Sequence, residues 1–325
     1  DVDVGYFVSK ADIDAEMLVY VPADDNNGTL SANGTSASSF TFQVQDDGGT
    51  LNGGLDLDAS ANTMSVDINP INDAPVLTGL TTQATTIDEN DVTNAGQLVG
   101  DLLGEYGDVD TTTQDGVHAS TNGTLSGMAV YAAISGDIGG YWEFSTDAGS
   151  NWATLEPTSG NAVLLRSIDM VRFVPDEVGG TTADGLAEPT LSYYVWDQSN
   201  NTGSLQGTQA SVAAVGGTTP YSEVAGTVSI TVTDVNDAPV ATVPLATQTG
   251  NEDGSVTISG ISFDDLDISA RTDSNPDNNT VEITLSVSHG TFVLATIDGL
   301  SGVGDNTGVS SMTFTGTLTA VNAAV

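Results

Sequence analysis

Apolar and polar residues alternate without a break through Val281-Glu282-Ile283-Thr284-Leu285-Ser286-Val287-Ser288. Side chains at every second position line one face of an extended chain, whereas a 3.6-residue helical period would scatter them around its circumference. Residues 228–233 follow the same rule, and the runs at 40–44, 170–174 and 191–196 are rich in β-branched and aromatic side chains. Further strands are predicted at 17–21, 39–45, 63–68 and 311–315. Clusters of Gly, Asn and Asp between these runs mark turns. Helical spacing is confined to residues 9–16. Many short strands with this punctuation predict an all-β chain of antiparallel β-sandwiches.

Two of the strand runs close on nearly the same residues, Ile71-Asn72-Asp73-Ala74-Pro75-Val76 and Val235-Asn236-Asp237-Ala238-Pro239-Val240. Asn236 follows Asn72 by 164 residues (236 − 72). Each copy reads as a last strand and then a junction, because proline has no N–H with which to continue a ladder. The two prolines divide the chain into residues 1–74, 75–238 and 239–325. The first piece has too few strands to close a two-sheet core alone, and the outer pieces together come close to one period. The expected organisation is a window about two periods long in a tandem array: the C-terminal part of one repeat, a complete repeat with insertions, and the N-terminal part of a third.

Charge narrows the partners. There are 44 acidic residues against 4 basic ones, a formal net charge of −40. Lys10, Arg166, Arg172 and Arg271 cannot displace counterions from a phosphate backbone, which excludes nucleic acid, and anionic membrane surfaces are disfavoured for the same reason. No stretch approaches the roughly 20 apolar residues of a membrane span, so no insertion is expected of this segment, and no signal-peptide pattern opens it. With no cysteine, there are no disulfides and no thiolate chemistry. Only 10 of the 44 acids are Glu. Aspartate belongs to turns and to loops that ligate hard cations such as Ca²⁺, although most of these carboxylates read simply as a solubilising surface.

The linkers carry a resemblance. Asp234-Val235-Asn236-Asp237-Ala238-Pro239 is similar to the cadherin inter-domain motif Asp-x-Asn-Asp-Asn-x-Pro, shortened, and the whole chain resembles the cadherin-like, immunoglobulin-fold tandem repeats of giant, type I secreted (RTX-type) bacterial surface adhesins. In that family a Glu after the linker, an Asp-x-Asp further on and an Asp ending a later strand complete inter-domain calcium sites. The matching residues are Glu89 and Glu252, 17 and 16 positions beyond Asn72 and Asn236 (89 − 72; 252 − 236), then Asp108-Val109-Asp110 and Asp265-Leu266-Asp267, and Asp197 after Trp196. The resemblance implies one junction built from Asn72, Asp73, Asp108, Asp110 and Asp197. A second would use Glu89, Asp234, Asn236, Asp237, Asp265 and Asp267, while Asp46 matches Asp197 for a junction ahead of residue 1. Calcium takes six to eight oxygens, and two domains meeting end to end can supply them where no single short loop here can.

Departures accompany the match. Pro70 stands where the second linker has Asp234, which removes a carboxylate, and the family's Asp-Arg-Glu motif has only Asp24-Asp25 and Asp176-Glu177 as stand-ins. Three ions at each junction would offset only roughly 12 of the 40 negative charges. Ser145-Thr146-Asp147-Ala148-Gly149-Ser150-Asn151-Trp152 fits an Asp-box, read here as a hairpin brace because a propeller needs several such boxes. The loop 273–279 lacks the Gly and Glu of an EF-hand, His118 and His289 stand alone, and neither a nucleophile elbow nor a phosphate loop occurs. No enzyme is expected. The resemblance implies a non-enzymatic, calcium-stiffened extender at the bacterial cell surface, in adhesion or biofilm formation, whose neighbours are further repeats and whose ligand, a cell surface or glycan, is met by other domains. A surface-layer or filament repeat and a carbohydrate-binding module are the rival expectations; the second needs exposed rings among Tyr141, Trp142, Trp152, Tyr193, Tyr194 and Trp196.

Overall fold

The computed structural model describes residues 6–22, 29–30, 36–68, 71–109, 126–176, 187–200, 205–265, 268 and 280–325. Asp110, Asp267, Asp24, Asp25, Glu177, His118, Arg271 and the loop 273–279 therefore lie outside the described residues. The fold is all-β, with a few short helices.

Most of the packing lies between residues 76 and 233. Six strands form one sheet in the order Gln209–Ser211, Asn161–Arg166, Gly127–Ile134, Thr190–Trp196, Gly226–Ser229 and Thr81–Gln83. Four form another, in the order Ala153–Thr154, Tyr141–Ser145, Met170–Val174 and Gln97–Leu98. Alternation decides what each strand buries. Leu191, Tyr193 and Val195 join Met128, Val130, Leu165 and Val228 in the same apolar cluster as Trp142, Val171 and Phe173 from the second sheet. Burying such side chains stabilises by about 1.5–3 kcal/mol each. The opposite face of the large sheet holds a smaller cluster of Ala129, Ala162, Leu164, Trp196 and Tyr221.

Two pairings are parallel, a departure from the wholly antiparallel expectation. Thr81–Gln83 runs beside Gly226–Ser229 and Ile87–Asp88 beside Val232–Thr233. Thr81–Gln83 and Ile87–Asp88 thus travel in the same direction as the last strands of this region. Beside Gly79 the backbone crowds: a Cβ at Gly104 would lie 1.7 Å from the Gly79 carbonyl oxygen, so only glycine fits. The Gly104 N–H donates to the buried Tyr193 hydroxyl at 2.8 Å.

The outer pieces differ from one another. Residues 6–68 contain the helix Lys10–Asp14, capped by Ser9, and a sheet ordered Thr29–Leu30, Ser36–Phe42, Asn62–Ile68. None of the residues 6–22 and 38–68 is buried. The strand predicted at 17–21 does not form; its residues are exposed and have no ladder partner among the described residues. Beyond residue 239, Thr280–Ser286, Ser311–Thr317 and Leu300–Ser301 form a sheet. It shares a core of Val281, Leu294, Met312, Phe314, Val321 and Ala324 with the helix Leu318–Ala324.

The Asp-box is the brace its sequence implies. It turns the chain between Tyr141–Ser145 and Ala153–Thr154, with Gly149 at φ +81°. Asp147 accepts from the Asn151 side chain at 2.6 Å, its backbone N–H at 2.9 Å and the Ser145 hydroxyl at 2.8 Å. The Trp152 ring lies under the Arg172 guanidinium at 4.3 Å. The hydrogen bonds from Asn151 and Ser145 hold the Asp147 carboxyl below its usual range. In the adjoining turn, burial raises that of Asp169, against the Arg166 N–H and Gln206 amide that it accepts.

The two have opposite linkage. Asp147 adds stability above the ordinary carboxylate pKa of about 3.9, and that stability is lost as pH falls through its lowered value. Folded Asp169 keeps a proton that the unfolded chain releases, so its contribution is greatest below about 3.9 and fades as pH rises through its raised value. In melting temperatures measured against pH, Asp147→Ala is expected to destabilise at pH 7 and progressively less in acid. Asp169→Asn is expected to flatten a decline in stability above pH ~4. Parallel curves for all three proteins would contradict both assignments.

Candidate functional site

Both linkers enter the next strand in the same way. Val76 pairs with Gly107, and Val240 pairs with Asp264, each antiparallel. One step further along each ladder places Asp108 opposite Pro75 and Asp265 opposite Pro239, about 5 Å apart between Cα atoms. The first Asp of each Asp-x-Asp is therefore carried by backbone register to the linker that precedes it. The local linker geometry repeats as well. The Asn72 side-chain amide donates to the Asp73 carbonyl at 3.2 Å, and that of Asn236 to the Asp237 carbonyl at 3.0 Å.

At the first junction the Asn72 amide also donates to Asp197 Oδ2 at 3.0 Å and to the Thr219 carbonyl at 3.2 Å, while the Ala74 N–H reaches the Gly217 carbonyl at 2.7 Å. These bonds pin the linker to the body that follows it. Asn72, Asp73, Asp108 and Asp197 are all half-buried at this end of the large sheet.

Asp197 has a counterpart. Its Oδ1 accepts from the Ser199 N–H at 2.7 Å, its own N–H donates to the Pro220 carbonyl, and Trp196 bridges to Tyr221. Asp46 accepts from the Gly48 N–H at 2.9 Å, donates to the Asp56 carbonyl, and follows Gln45, which bridges to Leu57. Tyr221 lies 164 residues after Leu57 (221 − 57), the linker period again.

At the second junction the parallel pairing of Ile87–Asp88 with Val232–Thr233 brings Glu89 beside Val235. Glu89 is 1% exposed, and its Oε1 accepts the Val235 N–H at 2.5 Å. Thr233 donates to Asp88, and the Asn90 amide donates to Asp237 Oδ1 at 3.3 Å. Asp234 and Asp237 are half-buried, and Asn236 is exposed. Asp265 is 8% exposed, and its Oδ1 accepts no hydrogen bond among the described residues. Asp88 and Asn90 escaped the sequence reading; the parallel register that brings them in has no local sequence signal. Glu252 is exposed, in the turn closed by the Gly254 N–H on the Asn251 carbonyl.

The donors at both junctions are oxygens, several of them carboxylates, which suits a hard cation and not a soft one. A buried carboxylate oxygen without a hydrogen bond, as at Asp265, is costly unless a positive charge meets it. Among the described residues, no three Asp, Glu or His side chains converge closely enough to hold a metal ion. The second Asp of each Asp-x-Asp lies outside that set.

Of the aromatic candidates for a sugar platform, Tyr141 is exposed and Tyr194 half-buried, while the other four are enclosed. Trp142, Tyr193 and Trp196 are buried, and Trp152 lies beneath Arg172. Among the described residues, no helix is long and apolar enough to cross a membrane. No family model, curated protein or solved structure matches this chain.

Proposed function

We propose that this chain is a calcium-rigidified extender, a run of cadherin-like, immunoglobulin-fold β-sandwiches of a bacterial cell-surface adhesin, without enzymatic activity. Its role is to hold a distant ligand-binding region away from the cell in adhesion or biofilm formation. Ca²⁺ is the cofactor of this reading. Asn72, Asp73, Asp108 and Asp197 are its ligands at one junction, and Glu89, Asp234, Asn236, Asp237 and Asp265 at the other, with Asp110 and Asp267 completing the Asp-x-Asp pairs. The single observation that carries the proposal is the shared register, in which the residue after each linker proline pairs with the residue before an Asp-x-Asp.

When bound, the cation offsets the repulsion among clustered carboxylates. The protein supplies the placement: ladder register fixes Asp108 and Asp265, the parallel strand fixes Glu89, and the contacts of Asn72 clamp the linker. Calorimetric titration with CaCl₂ is expected to give saturable binding, accompanied by a rise in melting temperature. The Asp265→Asn variant is expected to lose binding at the second junction and keep it at the first. No saturable heat and no melting shift at millimolar calcium would remove the ion from the proposal.

A further inference from the structure

Residues 80–89, near the start of the central region, run beside residues 227–235, at its end. The two parallel pairings between them are joined into one seam by further backbone bonds. The Thr227 N–H donates to the Leu80 carbonyl and the Ala84 N–H to the Ser229 carbonyl, both at 2.8 Å. Beyond these, the Ile87 N–H donates to the Thr231 carbonyl at 3.2 Å and the Glu89 N–H to the Thr233 carbonyl at 3.0 Å. On the outer side Gln83 ties two rungs together, accepting from the Ser229 hydroxyl at 2.7 Å and donating to the Thr231 hydroxyl at 3.0 Å. On the inner side Ala84, Val228, Ile230 and Val232 are buried in the core, and low-dielectric surroundings strengthen such bonds. Among the described residues, Thr81–Gln83 and Ile87–Asp88 have no other ladder partner.

In a parallel pair the start of one strand and the end of the other lie at opposite ends. Tension between the linker at Asn72 and the linker at Asn236 therefore drags the two strands past each other along their length. Every rung is then loaded at once, whereas strands drawn apart from a shared end lose their bonds singly. Forced unfolding is governed by the unfolding barrier and not by equilibrium stability, and a barrier that needs many bonds to break together is high. We infer that this seam is a mechanical clamp, which passes tension directly from one linker to the other and shields residues 90–225 until it breaks. Only the source of the tension rests on the extender reading; the seam itself is formed by backbone and side-chain hydrogen bonds and uses no ion.

The chain has no cysteine, so introduced thiols serve as handles for single-molecule force spectroscopy of the whole chain. Ile71→Cys with Ala238→Cys loads the seam in shear. Ile71→Cys with Val224→Cys pulls on matching ends of the two strands and peels them apart. All three positions are exposed, and the contacts of the first linker are common to both geometries. The sheared chain is expected to give way at about twice the peeling force or more. It is expected to do so in one step, releasing up to roughly 550–600 Å of chain from the 167 residues between the handles (238 − 71). Gln83→Ala, at an exposed side chain, is expected to lower the shear force more than the peeling force. The difference between the geometries is expected in excess chelator as in calcium, so a chain that binds no calcium leaves the inference standing. Equal forces in the two geometries overturn it, as do a Gln83→Ala loss no larger in shear than in peeling and stepwise lengthening before the shear peak.

Discussion

Replacing Phe173 with alanine is expected to destabilise the chain's central region by about 3–5 kcal/mol, the usual range for a phenylalanine deleted from a tight core. The ring is wholly buried, meets Trp142 edge-on at 5.4 Å between centroids, and sits where the two sheets share their apolar cluster. The site cannot easily collapse. The Trp142 indole N–H is anchored on the Ile134 carbonyl at 3.0 Å, and the Phe173 carbonyl is held by the Asn94 side chain at 2.8 Å. Guanidinium denaturation followed by tryptophan fluorescence reads the change directly, since Trp142 is its neighbour. Ile168→Ala, at a side chain 53% exposed, is the matched control and is expected to shift stability by no more than about 0.5 kcal/mol. Similar midpoints for the two variants would show that the sheets are not packed through Phe173.

Glu89→Gln is expected to change sign with calcium. Glutamine keeps a side-chain oxygen for the Val235 N–H and removes a buried negative charge from the strand end that carries Asp88 and meets the linker of Asp234 and Asp237. In excess chelator, where those carboxylates repel one another, the substitution relieves repulsion and the variant is expected to be as stable as the parent or more so. In saturating calcium it removes a ligand charge, and the variant is expected to be the less stable by on the order of 1–3 kcal/mol. Paired thermal melts in the two conditions check this. A destabilisation of equal size in both would assign Glu89 to the strand-end hydrogen bond alone.

The parts legible in the sequence were those governed by local pattern. Alternation located the strand at 170–174 to the residue and those at 62–68, 190–196 and 280–286 to within two. It could not supply the partner that an exposed run such as 17–21 would need, and a strand without a ladder is not a strand. The helix Leu318–Ala324 went unread because it follows directly on a strand; its signals were Thr317 as cap, whose hydroxyl accepts the Ala320 N–H, and the alanines behind it. The bulge at Tyr131, whose ring stacks on Tyr194 at 5.0 Å, likewise comes from a register shift opposite Ser192 and Tyr193 that no local pattern encodes.

At the junctions, the repeated Asn-Asp-Ala-Pro string and the spacing to Asp108 and Asp265 could be counted along the chain. The contact of Asn72 with Asp197 spans 125 residues and depends on strand order. So does the approach of Glu89 to Val235, which rests on the parallel pairing of Ile87–Asp88 with Val232–Thr233. Glu252 nearly repeats the offset of Glu89 from its linker and lies exposed in its own turn.

The measurement that tests the central proposal most directly is small-angle X-ray scattering of the whole chain, in millimolar calcium and then in excess chelator, at a dilution that keeps single chains apart. The expected result is an elongated particle in calcium whose maximum dimension shortens, or whose scattering turns to that of a flexible chain, once the ion is withdrawn. Superimposable profiles in the two conditions would contradict it, leaving the Asn-Asp-Ala-Pro segments as turns held by hydrogen bonds alone.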